Sequence, residues 1–321
     1  MSKRIKIWLL VAASLILLGG ILFVGVMTVL KWDFKKLSTV EYETNAYEIS
    51  ETYQSISVVT NTADVVFVPS EDGVTSVTCH EEQRMKHTVS VQDGTLVIKV
   101  VNTKKWYHYI GIFFGSPKIT IRIPAGAYEA LSVKTSTGDV DLSRGITFGN
   151  VDIKGGTGDV ECRSDVTSLL AVKVGTGSIE VAGISAGAMN LTASTGDIDL
   201  ESVTCAGDIN LKVGTGDVEL EDVTCVNLTG KTNTGDVEFS RVLTAGTVTL
   251  DTNTGSVEFE RCDAAELAIT TNTGSVRGTL LSEKIFVAKS NAGSIRVPET
   301  LKGGKCKITT NTGSIRMSIV N

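Results

Sequence analysis

Ten ionised side chains stand in one register of this 321-residue chain: Asp141, Glu161, Glu180, Asp199, Glu219, Glu238 and Glu258, then Arg277, Arg296 and Arg316. Each lies three residues after a glycine, at intervals of 19 or 20 residues. Carboxylates brought into file by a repeat could hold divalent cations or dock a cationic polymer. The plainer role is a solubilising face that discourages edge pairing, and surface charge usually contributes no more than that. Like charges about 4.8 Å apart repel by roughly 1 kcal/mol in bulk water before screening. Lys134, Lys154, Lys173, Lys212, Lys231 and Lys289, four residues before their glycines, are expected to offset this across the corner. Calcium is not expected, because its Gly-rich rolls repeat every nine residues and surround each ion with carboxylates. Here the period is double, and the residue after the glycine is Ser in five of ten copies.

Other chemistry is sparse. The six cysteines, Cys79, Cys162, Cys205, Cys225, Cys262 and Cys306, include no CxxC, so no zinc site is expected. Cys205 and Cys225 each fall nine residues after a corner glycine. In stacked coils their Cα atoms would lie roughly 5 Å apart, within disulfide range outside the cytosol. His80-Glu81-Glu82-Gln83-Arg84 misses the zinc-protease motif, since Arg84 stands where the second histidine belongs. With no helical periodicity in the repeats, no strand-to-helix Gly-x-Ser-x-Gly elbow, phosphate loop or Ser-His-Asp constellation can be assembled, so no catalytic residue and no cofactor is assigned. A net charge of −6 without a concentrated basic face disfavours nucleic acid.

The elements that position these residues follow from the repeat. The corner glycines run Gly138, Gly158, Gly177, Gly196, Gly216, Gly235, Gly255, Gly274, Gly293 and Gly313. Two residues after each stands Val or Ile, and seven residues before each stands an apolar residue. Two short alternating stretches per repeat read as half-buried strands. A third apolar anchor follows at Ile146, Val166, Ile184, Val203 and Val223, giving a coil of three sides. The expected fold is therefore all-β, a single-stranded β-solenoid of about ten 19–20-residue coils over 131–321, stacked in chain order. The charged residues, third after each glycine, point outward between two buried ones.

Upstream, residues 7–30 lack any charge and are long enough to cross a bilayer, so a single-pass anchor is expected behind a basic tail, residues 1–6. Basic residues flank the span three against three, and the solenoid is assigned to the outer side. Residues 31–50 read as a polar stalk, and 51–130 as an irregular β entry cap covering the first coil. Asn61-Thr62-Ala63-Asp64 looks like a degenerate corner. The segment 106–114 concentrates Trp106, Tyr107, Tyr109, Phe113 and Phe114. Exposed, these could touch a membrane, a glycan or a protein; capping of the first coil is the expectation.

The run from Ser55-Ile56-Ser57-Val58 through Lys118-Ile119-Thr120-Ile121-Arg122-Ile123-Pro124, and on through Leu131-Ser132-Val133-Lys134 into Thr137-Gly138-Asp139-Val140, resembles a bacterial envelope family. That family is the putative-adhesin domain, of unknown function and often found behind one membrane anchor. The resemblance covers residues 50–321, implies a β-solenoid on the outer side of the membrane, and carries no catalytic residue. The expected function is non-enzymatic: an anchored scaffold presenting a charged face to cell-wall polymer or another envelope protein. The alternatives are a sensory partner of an envelope-stress system and, more distantly, a polysaccharide-active enzyme, which would need converging carboxylates. Oligomeric state is not legible in the sequence.

Overall fold

The protein was analysed as a computed structural model that describes residues 2–37, 40–109 and 115–320. α1 (Lys3–Val29) has a Ser2 cap whose side chain accepts from the Ile5 amide. It is long and apolar enough to cross a membrane, and its apolar side chains stand outward. Apart from 3₁₀ turns at Phe34–Leu37 and Trp106–Tyr109, the other regular elements among the described residues are β-strands wound as a solenoid.

Each coil holds a long strand running up to the corner, a short strand beyond it and a third side. In the first regular coil these strands are β8 (Ala127–Thr137) and β9 (Val140–Leu142). Successive coils pair in parallel, which files the apolar residues seven before each corner: Leu131, Val151, Leu170, Met189, Ile209, Leu228, Val248 and Leu267. All eight are buried, as are the five third-side anchors. A thin, continuous core of stacked identical positions results, in which each coil buries its apolar face only against its neighbours.

The corner explains why the motif tolerates little variation. At Gly216 φ is +140°, a region closed to most L-residues. A Cβ there would also lie 2.2 Å from the Gly196 carbonyl oxygen of the preceding coil. The Gly196 amide donates to Thr215 O and the Ile198 amide to Asp217 O. The intervening Asp197 amide is taken by Ser178 Oγ of the preceding coil at 3.2 Å, and one coil on the Asp217 amide is taken by the Asp197 side chain at 2.8 Å. The same bond recurs from Asp159 to Asp139, Ser178 to Asp159, Asp236 to Asp217 and Ser256 to Asp236. Asp or Ser after each glycine is therefore the acceptor that closes the amide ladder. A second corner, six residues past the glycine, carries Ser202, Asp222, Arg241 and Arg261 in the left-handed region at φ near +54°.

Both ends depart from simple chain order. β2 (Ser55–Val59) and β3 (Asp64–Ser70) form the degenerate first coil around Ala63, pairing with β8 and β9. The chain then leaves as β4 (Thr75–Glu82), β5 (Met85–Gln92) and β6 (Thr95–Asn102), and β6 returns parallel to β2 on its outer side. β7 (Lys118–Pro124) likewise covers β3. The expected stalk over 31–50 is shorter than its polarity suggested. Its second half is β1 (Tyr42–Ile49), paired antiparallel with β4, because Tyr47 and Ile49 alternate onto the core. At the far end, Gly304–Thr312 pairs with Val257–Thr273 on one side and with Lys284–Ala292 on the other. The last coil in sequence is thus inserted beneath its predecessor, correcting the expected stacking in chain order. Cys306, Ile308 and Thr310, with a coil on either side, are all buried, and the size contrast falls at one position, where Cys306 lies beneath Phe286. Phe286 instead packs half-buried over Cys306 as the closing layer, leaving Ile285 and Val287 exposed.

Three residues before the corner, the core holds a file of buried threonines, among them Thr232, Thr252, Thr271 and Thr310. Thr310 Oγ1 donates to Gly274 O at 2.9 Å, but the Thr232 and Thr252 hydroxyls have no partner among the described residues. A buried unpaired hydroxyl costs about 1–3 kcal/mol. Thr252→Val should therefore stabilise the fold by about 1 kcal/mol in urea unfolding, and Thr310→Val should destabilise it by a similar amount.

Candidate binding face

The ladder places every member of the charged column in one file. Asp141, Glu161, Glu180, Asp199, Glu219, Glu238, Glu258 and Arg277 pair coil by coil. Arg277 then pairs with Arg316, and Arg316 with Arg296, so the insertion at the far end exchanges the last two. The side chains are exposed or half-exposed, since the residues on either side of each take the inward positions.

The charges are offset differently from the sequence expectation. Lys154 and Lys231 pair with Asp152 and Asp251 on their own face of the coil, at 2.6 and 3.3 Å. Strand pleat keeps the lysines there, on the far side of the corner from the column. The column is bridged instead by arginines from the second corner and from within the file. Arg163 reaches both Glu161 and Glu180, and Arg277 donates to Glu258 at 2.6 Å. Arg241 clasps Glu221 and Asp222 beside the file. No cation among the described residues pairs with Asp199. Burial pushes the Asp199 carboxyl up to about 6, aided by the neighbouring charges of Asp197, Glu219 and Glu180. Burial likewise raises Asp141.

A single file does not bring two carboxylates to opposite sides of a substrate, as glycoside hydrolysis requires. A broad cleft of about 1130 Å³ on the third side includes Asp263 and Lys284. These pair with one another at 2.7 Å, so the cleft offers no free acid–base couple from them.

In the aromatic segment, Trp106 and Tyr107 meet edge to face on a short 3₁₀ turn, with Trp106 76% exposed. The capping expectation therefore fails for these two, because β6 and β7 already cover the first coil. Phe113 and Phe114 lie outside the described residues, as does the side chain of Tyr109. All six cysteines are buried free thiols. Thr204 pairs with Thr224, setting Cys205 and Cys225 in neighbouring coils, and the bridge their spacing allows is not made here. Their thiols instead approach Gly187 O and Thr244 Oγ1.

One cluster escaped the sequence reading. Cys79 and Glu81 of β4 and His87 of β5 converge inside the cap, their ligand atoms all within 4.8 Å of one another. The available signal was the register. With β4 extended to residue 82, Glu81 falls on the same inward face as Val77 and Cys79, where a carboxylate is anomalous.

The profile of the family described as Toastrack DUF4097 matches residues 53–214 and again 204–321. No curated protein is significantly similar in sequence. Among solved structures, a putative adhesin from Parabacteroides distasonis has the same fold. It is 14% identical over 87% of this chain and 98% of its own, with a TM-score of 0.53. A putative adhesin from Bacteroides fragilis is 15% identical over 87% of this chain and 97% of its own, at a TM-score of 0.45. A putative lipid binding protein from P. distasonis is 19% identical over 88% and 98%, at 0.42.

The raised Asp199 pKa fixes a pH dependence. The folded value, about 6, lies above the ordinary 3.8, so the ionised form destabilises the fold at neutral pH and protonation relieves this as pH falls. Asp199→Asn should raise the melting temperature at about pH 7.5, and the gain should shrink as pH drops through 6 and vanish near 4.

Proposed function

Because this chain belongs to the Toastrack family, we propose that it is a non-enzymatic binding protein of the cell envelope. It is held in the membrane by α1 and presents its charged file to a polymer or protein outside. The observation that carries this reading is the file itself, seven carboxylates followed by three guanidiniums on a rigid parallel stack. A rigid row of like charges loses little conformational entropy on binding, which favours an extended partner of opposite charge. The adhesin names of the structural neighbours accord with a binding role. α1 supports the anchor, since a helix of 27 residues exceeds the roughly 20 that a bilayer needs. Trp106 and Tyr107, exposed on the cap, supply a second contact surface of the amphipathic kind that interfaces use.

Two measurements test the reading. A cysteine introduced at exposed Ser132 should react with a membrane-impermeant maleimide on intact cells, in a background lacking the native cysteines. Labelling only after lysis would place the solenoid inside and sink the proposal. The full chain in nanodiscs should also bind purified cell-wall sacculi or an amine-bearing polymer at low salt. The triple variant Glu180→Gln, Asp199→Asn, Glu219→Gln should bind about tenfold more weakly. Equal retention of the folded triple variant would remove the column from the function.

A further inference from the structure

We propose that Cys79, Glu81 and His87 form a site for one borderline-soft divalent metal ion of the zinc class, buried in the entry cap. The protein ligands are Cys79 Sγ, Glu81 Oε2 and His87 Nδ1, and water completes the coordination.

The chain builds this constellation at a turn. β4 brings Cys79 and Glu81 inward on alternate positions, the exposed pair Gln83 and Arg84 turns the corner, and β5 returns with His87 facing inward. β4 and β5 belong to different sides of the solenoid, β4 pairing with β1 and β7 and β5 with β6. The three side chains therefore meet across the interior, Cys79 and Glu81 fully buried and His87 4% exposed. Sulfur, imidazole nitrogen and carboxylate oxygen within reach of a single point make the donor set that zinc takes, whereas calcium and magnesium take oxygen alone.

The surroundings are arranged as supports for such ligands. Thr60 Oγ1 lies 3.0 Å from His87 Nε2, the ring nitrogen remote from the cluster. It can accept the Nε2 proton and leave Nδ1 free to ligate. Asn45 donates to Glu81 Oε1 at 2.8 Å, so that the other oxygen, Oε2, is the one turned to the cluster. Glu81 Oε2 already receives the His87 amide at 2.6 Å, and a second lone pair remains. Cys79 Sγ makes no hydrogen bond among the described residues, unlike the thiols of Cys162, Cys205, Cys225 and Cys262.

Charge balance favours the same conclusion. A dication, a thiolate, a carboxylate and a neutral imidazole sum to zero, the state a dry interior tolerates best. On binding, the Cys79 thiol releases its proton to solvent. The imidazole proton now shared between Nδ1 and Glu81 Oε2 at 2.7 Å passes to Nε2, where Thr60 accepts it. No electron transfer is involved. The ion would pin β4 and β5 together at a cap corner that lacks the glycine turn of the regular coils, and it draws on no property of the charged file.

The test uses the full chain in detergent, stripped by chelator under reducing conditions and titrated with cobalt(II) chloride. The expected result is one ion per chain, with a thiolate-to-cobalt band in the near ultraviolet, tetrahedral visible bands, displacement by zinc and a rise in melting temperature. Cys79→Ser should abolish the thiolate band, His87→Gln should weaken binding by about tenfold or more, and Cys162→Ser should change neither. No thiolate band from the folded chain overturns the proposal, and so does a band that survives Cys79→Ser. Should Cys79→Ser not fold, a variant keeping Cys79 as its sole cysteine decides: the band retained supports the site, and the band lost rejects it.

Discussion

The corner between the two strands of each coil is the constraint on which the molecule depends. There the backbone of one coil passes so close to the next that a Cβ at Gly235 would fall 1.8 Å from the Gly216 carbonyl oxygen. The close approach and the positive φ select glycine together. The following amide then has no ladder partner of its own, and the Asp or Ser side chain of the preceding coil accepts it. Thr-Gly-Asp and Thr-Gly-Ser are thus a structural bond repeated along the stack rather than a row of nucleophiles.

That fixed corner dictates the outer face. Once the residues at the second and fourth positions after the glycine are buried, the third must point to solvent, and the coil spacing sets carboxylate against carboxylate. The repulsion is met in two ways. Arg163 and Arg277 bridge neighbours, while Asp199, half-buried among like charges, holds its proton more tightly. A face that repels itself in this way resists pairing with other copies of itself, and it is available to a partner of opposite charge.

The ends obey a different demand, because a coil with one neighbour leaves half its core open. At the entry, β6 and β7 double back over the first coil and β1 and β4 close the side, so the capping falls to strands rather than to Trp106 and Tyr107. The cap turns its corner through Gln83 and Arg84 instead of a glycine. Its interior there is filled by Glu81, His87 and Thr60 hydrogen-bonded to one another. At the other end a bulky Phe286 covers Cys306, and the chain's last coil slips beneath it.

The sequence by itself determined the coil. Glycine spacing, the Val or Ile two residues later and the polar residue between are local consequences of turn geometry and pleat, so Asp141 through Glu258 were legible as one outward file. Alternation also marked 51–130 as a β cap, but it left β1 in the stalk, because only pairing with β4 gives that polar segment its strand. Only the tertiary structure decided which coil lies beside which. Identical columns make every coil an acceptable neighbour for any other, so the exchange of Arg296 and Arg316 depends on how the end closes, not on local pattern. The same holds for the offsetting charges, which come from Arg163 rather than from Lys154 because the direction a side chain takes from the stack is not written in its spacing. It holds for the cap cluster too. Cys79, Glu81 and His87 belong to strands on different sides of the coil, and only closure of the core brings them together.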